Sequence, residues 1–259
     1  APQDWFSIAS HLDEIWTPSD FVTSSFENRL SIPVKTVPIP LYVPEHCDLE
    51  QRAENSVVKC LAMADGRSSF HRKNLISAAR IFVRAFDTRS DAEMTIKLRN
   101  ADEFPGFESE LKSVIGGHDN VSIINQSISN SDRWRLISEH NVALSTHRAE
   151  GFGLHLAEAM ALGKCAVATG WSGNTGFMTD SNSMLLPYSL EPVIDPYGIY
   201  QACDHMRWAK VDEDAGIEAL RRLNKDRDLI QTVGARARQD VISSLSGDTL
   251  ENAVAGLPS

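Results

Sequence analysis

Glu150-Gly151-Phe152-Gly153-Leu154-His155-Leu156-Ala157-Glu158 lies between two short apolar runs, Asn141–Ser145 and Cys165–Thr169. The order reads as buried strand, glycine-bearing loop, helix and second buried strand. Gly151 and Gly153 let the backbone approach a ligand with no Cβ in the way. A helix opening near Gly153 leaves its first amides unpaired and carries roughly half a positive charge at that end, which suits a phosphate. Two carboxylates bracket that end, Glu150 in the loop and Glu158 within the helix. Beside a phosphate site a carboxylate makes sense when it bonds hydroxyls, and sugars and ribose supply them. The stretch predicts a nucleotide-sugar site.

Working outward, Ala157–Gly163 closes the helix on a C-terminal glycine. Trp171-Ser172-Gly173-Asn174-Thr175 follows the next strand and puts a second loop at the same sheet edge. Upstream, Asp65-Gly66-Arg67-Ser68-Ser69-Phe70-His71-Arg72-Lys73-Asn74 follows the apolar run Val57–Met63 and leads into a helix ending near Phe86. Arg67 and Lys73 are cations suited to a diphosphate, with Arg72 a rival for either role. Taken alone, Arg72 and Lys73 read equally as solvated charges at a helix start.

Strands are predicted at Val34–Ile39, Val57–Met63, Met94–Leu98, Val121–Asn125, Val142–Ser145, Cys165–Thr169 and Met184–Leu186. Helices are predicted at Lys73–Phe86, Phe107–Ile115, Ser131–Glu139, Gly153–Leu162 and Ile217–Leu223, with more helix to about Leu245. This alternation predicts an α/β fold, a Rossmann-like parallel sheet with helices on both faces and ligands at the carboxyl ends of the strands. The proline-rich stretch Ile32–Pro44 reads as a connecting segment. Leu245–Ser259 has no strong pattern and reads as a partly loose tail.

The run from Ser145 to Pro187 resembles the core of the family 4 retaining glycosyltransferases, whose architecture is GT-B. Their signature is two glutamates separated by seven residues, here Glu150 and Glu158 in a Glu-Gly-Phe-Gly context, followed by Ala-Met and a downstream Ser-Gly-Asn. The Asp65–Asn74 loop resembles the same family, in which an arginine and a lysine grip the donor diphosphate; Arg67 and Lys73 stand at the matching positions. Two departures are visible. Cys165 stands where proline is usual after Gly-Lys, and Gly176 where an acidic residue is common.

The resemblance implies transfer of a sugar from a nucleotide-diphosphate sugar to an acceptor hydroxyl, with retention and without a metal or other cofactor. It places Glu150 near the donor sugar as the catalytic carboxylate. It gives donor binding to Arg67, Lys73, Gly151, Phe152, Gly153, Leu154 and Glu158, with Glu158 on the ribose hydroxyls and the amides of Phe152–Leu154 on the phosphates. The base would meet Ile124 and Asn125. His147 and His155 lie near the motif and read first as packed or solvent histidines.

Asp13–Ser19 and Pro33–Pro40 resemble the family's passage from its acceptor-binding N-terminal domain into its donor-binding C-terminal one. Trp16 reads as packing within this passage. The expected organisation is residues 1–40 as passage, 41–245 as the nucleotide-sugar-binding domain (one half of a GT-B fold), and 246–259 as tail. On that reading the chain is inactive without an N-terminal domain that brings an acceptor glycan or glycolipid. Bacterial polysaccharide or lipopolysaccharide assembly is the setting the resemblance suggests. The alternatives are a nucleotide-binding regulatory module without transfer, and a glycoside hydrolase using Glu150 and Glu158.

Composition sets outer limits. The 259 residues suffice for a full core, and the formal net charge of −10 with no basic run argues against a nucleic-acid partner. Because a nucleotide sugar is also anionic, local cations must overcome that field. Cys47, Cys60, Cys165 and Cys203 are scattered and read as reduced thiols of a cytoplasmic protein, with no zinc site. No apolar stretch reaches the length of a membrane span, which leaves only peripheral association open.

Overall fold

The computed structural model describes residues 8–9, 11–26, 29–44, 56–87, 91–200 and 205–257. Cys47 and Cys203 lie outside them; Cys60 and Cys165 are buried, unbonded thiols. A six-stranded parallel sheet forms the frame: β3 (Val58–Asp65), β4 (Ala92–Arg99), β5 (Val121–Asn125), β6 (Val142–Ser145), β7 (Cys165–Thr169) and β8 (Met184–Leu186). Its spatial order is β5-β4-β3-β6-β7-β8. The chain thus winds outward one way from β3, returns, and winds out the other way from β6. The strand order reverses between β3 and β6, and ligands of open α/β sheets bind outside the carboxyl ends at such a point.

Residues in β6 and β7 are buried throughout, as expected of central parallel strands covered on both faces. The two faces carry different side chains. Val142, Leu144, Cys165 and Val167 join a core with the helices α3 (Leu75–Phe86), α4 (Pro105–Ile115) and α7 (Glu213–Lys225). On the other face Ala143, Ala166 and Ala168 meet α6 (Leu154–Ala161), itself rich in alanine, together with α5 (Asn130–Ser138) and α8 (Arg227–Ser244). Small residues on both sides let α6 lie close to the sheet. Gly234 lets α8 pass equally close, since a Cβ there would stand 2.0 Å from the Gly163 carbonyl oxygen.

Four differences from the sequence expectation stand out, and the first two have physical causes. The helix expected over Lys73–Phe86 is two, α2 (Phe70–Lys73) and α3, broken at Asn74 in the left-handed region at φ 54°. Asn74 Nδ2 donates to the Thr146 carbonyl at 2.9 Å, and Thr146 Oγ1 donates back to the Asn74 carbonyl at 2.6 Å. The strand expected over Val34–Ile39 stops as β2 at Thr36, two residues before Pro38, and pairs in parallel with β1 (Ile15–Thr17) beside α1 (Asp20–Ser24). The tail contains a helix, α9 (Asp248–Ala255). An antiparallel pair that the sequence did not suggest, β9 (Tyr188–Pro192) and β10 (Arg207–Val211), lies between β8 and α7.

Candidate active site

The loops after β3, β4 and β6 and the start of α6 enclose a cleft of about 440 Å³. Lys73, Glu150, Phe152, Gly153, Leu154 and Glu158 line it together. Residues widely separated in sequence meet where the strand order reverses.

Glu150 is almost sealed from solvent and is gripped from across the crevice. Lys73 Nζ reaches its Oε1 at 2.5 Å, and Arg72 Nη1 lies 3.3 Å from Oε2. The backward turn at Asn74 ends α2, so that Arg72 and Lys73 face this loop. Arg72 also donates to the carbonyls of Ser68 and Ala149, which joins the first loop to the glutamate's own backbone. Burial pushes the Glu150 carboxyl up, but the two cations outweigh it and hold the group well below the usual carboxylate range. It is a fixed anion.

The loop around Glu150 is locked by close backbone contacts. Ser172 Oγ accepts from the Glu150 amide at 2.7 Å, and the Gly173 amide donates to the Glu150 carbonyl at 2.9 Å. A Cβ on Gly173 would stand 2.2 Å from the Gly151 carbonyl oxygen, so only glycine fits. Gly151 itself is not part of the cleft lining; its carbonyl accepts from Ser19 Oγ at 2.6 Å.

Gly153 opens α6 at φ +95°, and no side chain caps the helix. Ser129, Asp212 and Asp226 cap α5, α7 and α8, whereas α3, α4 and α9 also begin without a capping side chain. What sets α6 apart is its place: Gly153 and Leu154 line the cleft, so the uncapped first turn lies beside it. Glu158, one turn further on, has 4% of its side chain exposed and pairs with Arg133 Nη1 from α5. Burial pushes its carboxyl up, against the pull of Arg133.

Arg67 does not line the cleft. It is 67% exposed and forms a forked pair with Glu103, Nη2 to Oε1 at 2.6 Å. Ile124 and Asn125 are also absent from the lining, where Ile128 stands instead, because β5 ends at Asn125 and the chain turns back towards α5 only beyond it. Three cations that the sequence did not single out, Lys97, Arg99 and Arg133, line the cleft as well. Lys97 is buried and donates to the carbonyls of Leu98 at 2.6 Å and Gln126 at 2.5 Å. Burial pushes its ammonium down. Its place at the carboxyl end of a predicted strand was the available signal. His147 is fully buried, whereas His155 lines the cleft.

The six-stranded parallel sheet with helices on both faces matches the fold of GT-B glycosyltransferase structures. Residues 68–194 match the family model described as Glycosyl transferases group 1. No curated protein matches the chain in sequence. Among solved structures it is similar to the pneumococcal O-GlcNAc transferase GtfA in complex with UDP and GlcNAc, at 18% identity and a TM-score of 0.69 over 98% of this chain and 46% of that one. It is similar to TarM of S. aureus with UDP bound, at 14% identity and a TM-score of 0.65 over 95% and 44%. WaaG, a glycosyltransferase involved in lipopolysaccharide biosynthesis, gives 14% identity and a TM-score of 0.66 over 92% and 61%. The chain thus spans between 44% and 61% of the length of these three. Among the described residues no helix is long and apolar enough to cross a membrane.

Proposed function

We propose that this chain is the donor-binding C-terminal part of a retaining glycosyltransferase, which moves a sugar from a nucleotide diphosphate to an acceptor hydroxyl. The observation that carries this reading is one cleft, at the reversal of strand order in a group 1 glycosyltransferase segment, that holds Lys73, Glu150, the uncapped start of α6 and Glu158 together.

In this reading the diphosphate lies against the amides of Phe152–Leu154 and the Lys73 ammonium. These are fixed donors aimed at the charge that grows on the leaving group, and no metal takes part. Arg67 joins them by exchanging Glu103 for phosphate, an exchange made cheap by the exposure of that pair. Glu150 sits at the sugar end as a fixed anion, and Glu158 receives the ribose hydroxyls in place of Arg133. UDP in the related structures supports a nucleotide diphosphate here without choosing among UDP, GDP and ADP. The acceptor glycan or glycolipid is brought by a separate N-terminal domain.

A glycoside hydrolase would need one of its two carboxyls protonated as the acid. Glu150, held between two cations, cannot be that acid, and the role would fall to Glu158, whose carboxyl is paired with Arg133. Calorimetric titration with UDP, GDP and ADP tests the proposal, with Glu158→Ala as control. One nucleotide binds and the variant binds it at least tenfold more weakly; absence of binding by all three overturns the reading.

A further inference from the structure

His155, second residue of α6, lines the cleft with Lys73 and Glu150. A chain of hydrogen bonds behind it fixes where its proton sits, read from the far end. His147 Nε2 lies 3.0 Å from the Trp171 carbonyl oxygen and 3.0 Å from Asn174 Oδ1. Asn174 is oriented by its amide group, which donates to the Thr169 carbonyl at 3.1 Å. Both neighbours of His147 Nε2 are thus acceptors, so this nitrogen carries the proton and Nδ1 carries the lone pair.

Ser145 Oγ, 3.0 Å from that Nδ1, must spend its single proton there. It then offers only lone pairs to His155 Nε2 at 3.3 Å. His155 therefore holds its proton on Nε2, pointing away from the cleft, and bares a lone pair on Nδ1. Among the described residues that Nδ1 has no hydrogen-bond partner. Burial first, then the Lys73 charge, pushes the imidazole down to about 3, so the ring stays neutral at physiological pH.

A lone pair in a cleft calls for a ligand that donates. Phosphate oxygens only accept, whereas sugar hydroxyls and N–H groups donate. We propose that His155 is a specificity-determining residue that accepts, through Nδ1, a hydrogen bond from a hydroxyl or amide N–H of the donor sugar and makes no contact with the diphosphate. The inference rests on the proposed function, because it needs a sugar nucleotide in this cleft. Glu150, which the proposed function puts at the sugar end, shares this lining with His155 and acts electrostatically on its ring, and the His147–Ser145 chain keeps the ring from turning its N–H into the cleft.

The test compares binding with and without the sugar. The full chain and its variants are titrated with UDP, UDP-glucose and UDP-N-acetylglucosamine, and with the GDP-mannose and ADP-glucose pairs. His155→Gln keeps a donor near Nε2 and loses the acceptor; His155→Asn keeps an acceptor near Nδ1. His155→Gln is expected to weaken the sugar nucleotide about five- to tenfold while changing the bare diphosphate less than twofold, the size of one hydrogen bond. His155→Asn restores most of the loss. Equal losses for both ligands, no loss, or failure of Asn to restore binding overturns the inference and leaves the proposed function standing. If the unsubstituted chain binds no nucleotide, the proposed function falls and takes the inference with it. Nitrogen NMR of the unsubstituted chain needs no variant to fold: the unprotonated His155 nitrogen shifts with sugar nucleotide and not with bare diphosphate, and the opposite pattern refutes the assignment.

Discussion

The two ends of the cleft use the same residue type at nearly the same burial and obtain opposite results. At one end Glu150 faces the buried Arg72 and the largely buried Lys73 and is held ionised. At the other end Glu158 faces Arg133 alone, which is 32% exposed, and burial prevails. The number and burial of the partners decide the outcome, since a cation that keeps its water repays less of a carboxylate's desolvation. The Glu150 end is a finished structure. The Glu158 end is held by one partner that solvent can take back.

The largest expected effect of breaking this contrast comes from Lys73→Met, which strands a buried carboxylate with one cation. It should cost about 3–5 kcal/mol of unfolding free energy, measured by urea denaturation at pH 7. Glu158→Gln should cost less than about 1 kcal/mol, or stabilise the unliganded chain, because it removes a carboxylate whose burial is only partly repaid. Similar costs for the two variants would abolish the distinction.

The next effect is a difference in pH response. Arg133→Ala should destabilise by about 1–3 kcal/mol at pH 8, and by progressively less as the pH falls, because burial favours the protonated Glu158 carboxyl. The cost of Lys73→Met should persist at pH 5, because Arg72 still holds Glu150 ionised. Stability of the unsubstituted chain should also fall on acidification below about pH 6.5. His140, His147 and His155 are all pushed down by burial, so the unfolded chain binds their protons first. Each adds a slope of up to about 1.4 kcal/mol per pH unit, and for His155 the loss runs until about pH 3. His155→Asn should flatten that slope.

The smallest effect on stability should be that of Arg67→Ala, with no measurable change in urea denaturation, since its pair with Glu103 is solvent-exposed. Nucleotide affinity should nonetheless drop severalfold in calorimetry. An unchanged affinity would remove Arg67 from the site.

Much of the frame was legible because buried parallel strands are short apolar runs bounded by loops. Val121–Asn125, Val142–Ser145, Cys165–Thr169 and Met184–Leu186 begin and end where the sequence placed them. The β9–β10 pair was not legible: β9 is largely exposed, contains Pro192, and pairs with a strand that begins only at Arg207. Nor could local pattern reveal the break at Asn74, which is fixed by Thr146, 72 residues away. In the site, Glu150, Gly153 and Glu158 of one contiguous motif line one cleft, while Gly151 lies outside its lining. Lys97 and Arg133 escaped because a charge on a strand end or a helix reads as solvated until its tertiary partner is known.

The bond from Ser19 Oγ to the Gly151 carbonyl spans 132 positions of sequence. Phe21 rests edge-on against Trp171 from the same leading segment, with ring centres 5.3 Å apart. The peptide unit between Gly151 and Phe152 is therefore clasped from outside the six-stranded sheet. A displacement of about an ångström between that segment and the sheet would break the clasp, because a hydrogen bond stretched so far is no longer one. The leading segment and the glutamate loop behave as a joint: where one is set down, the other is aimed.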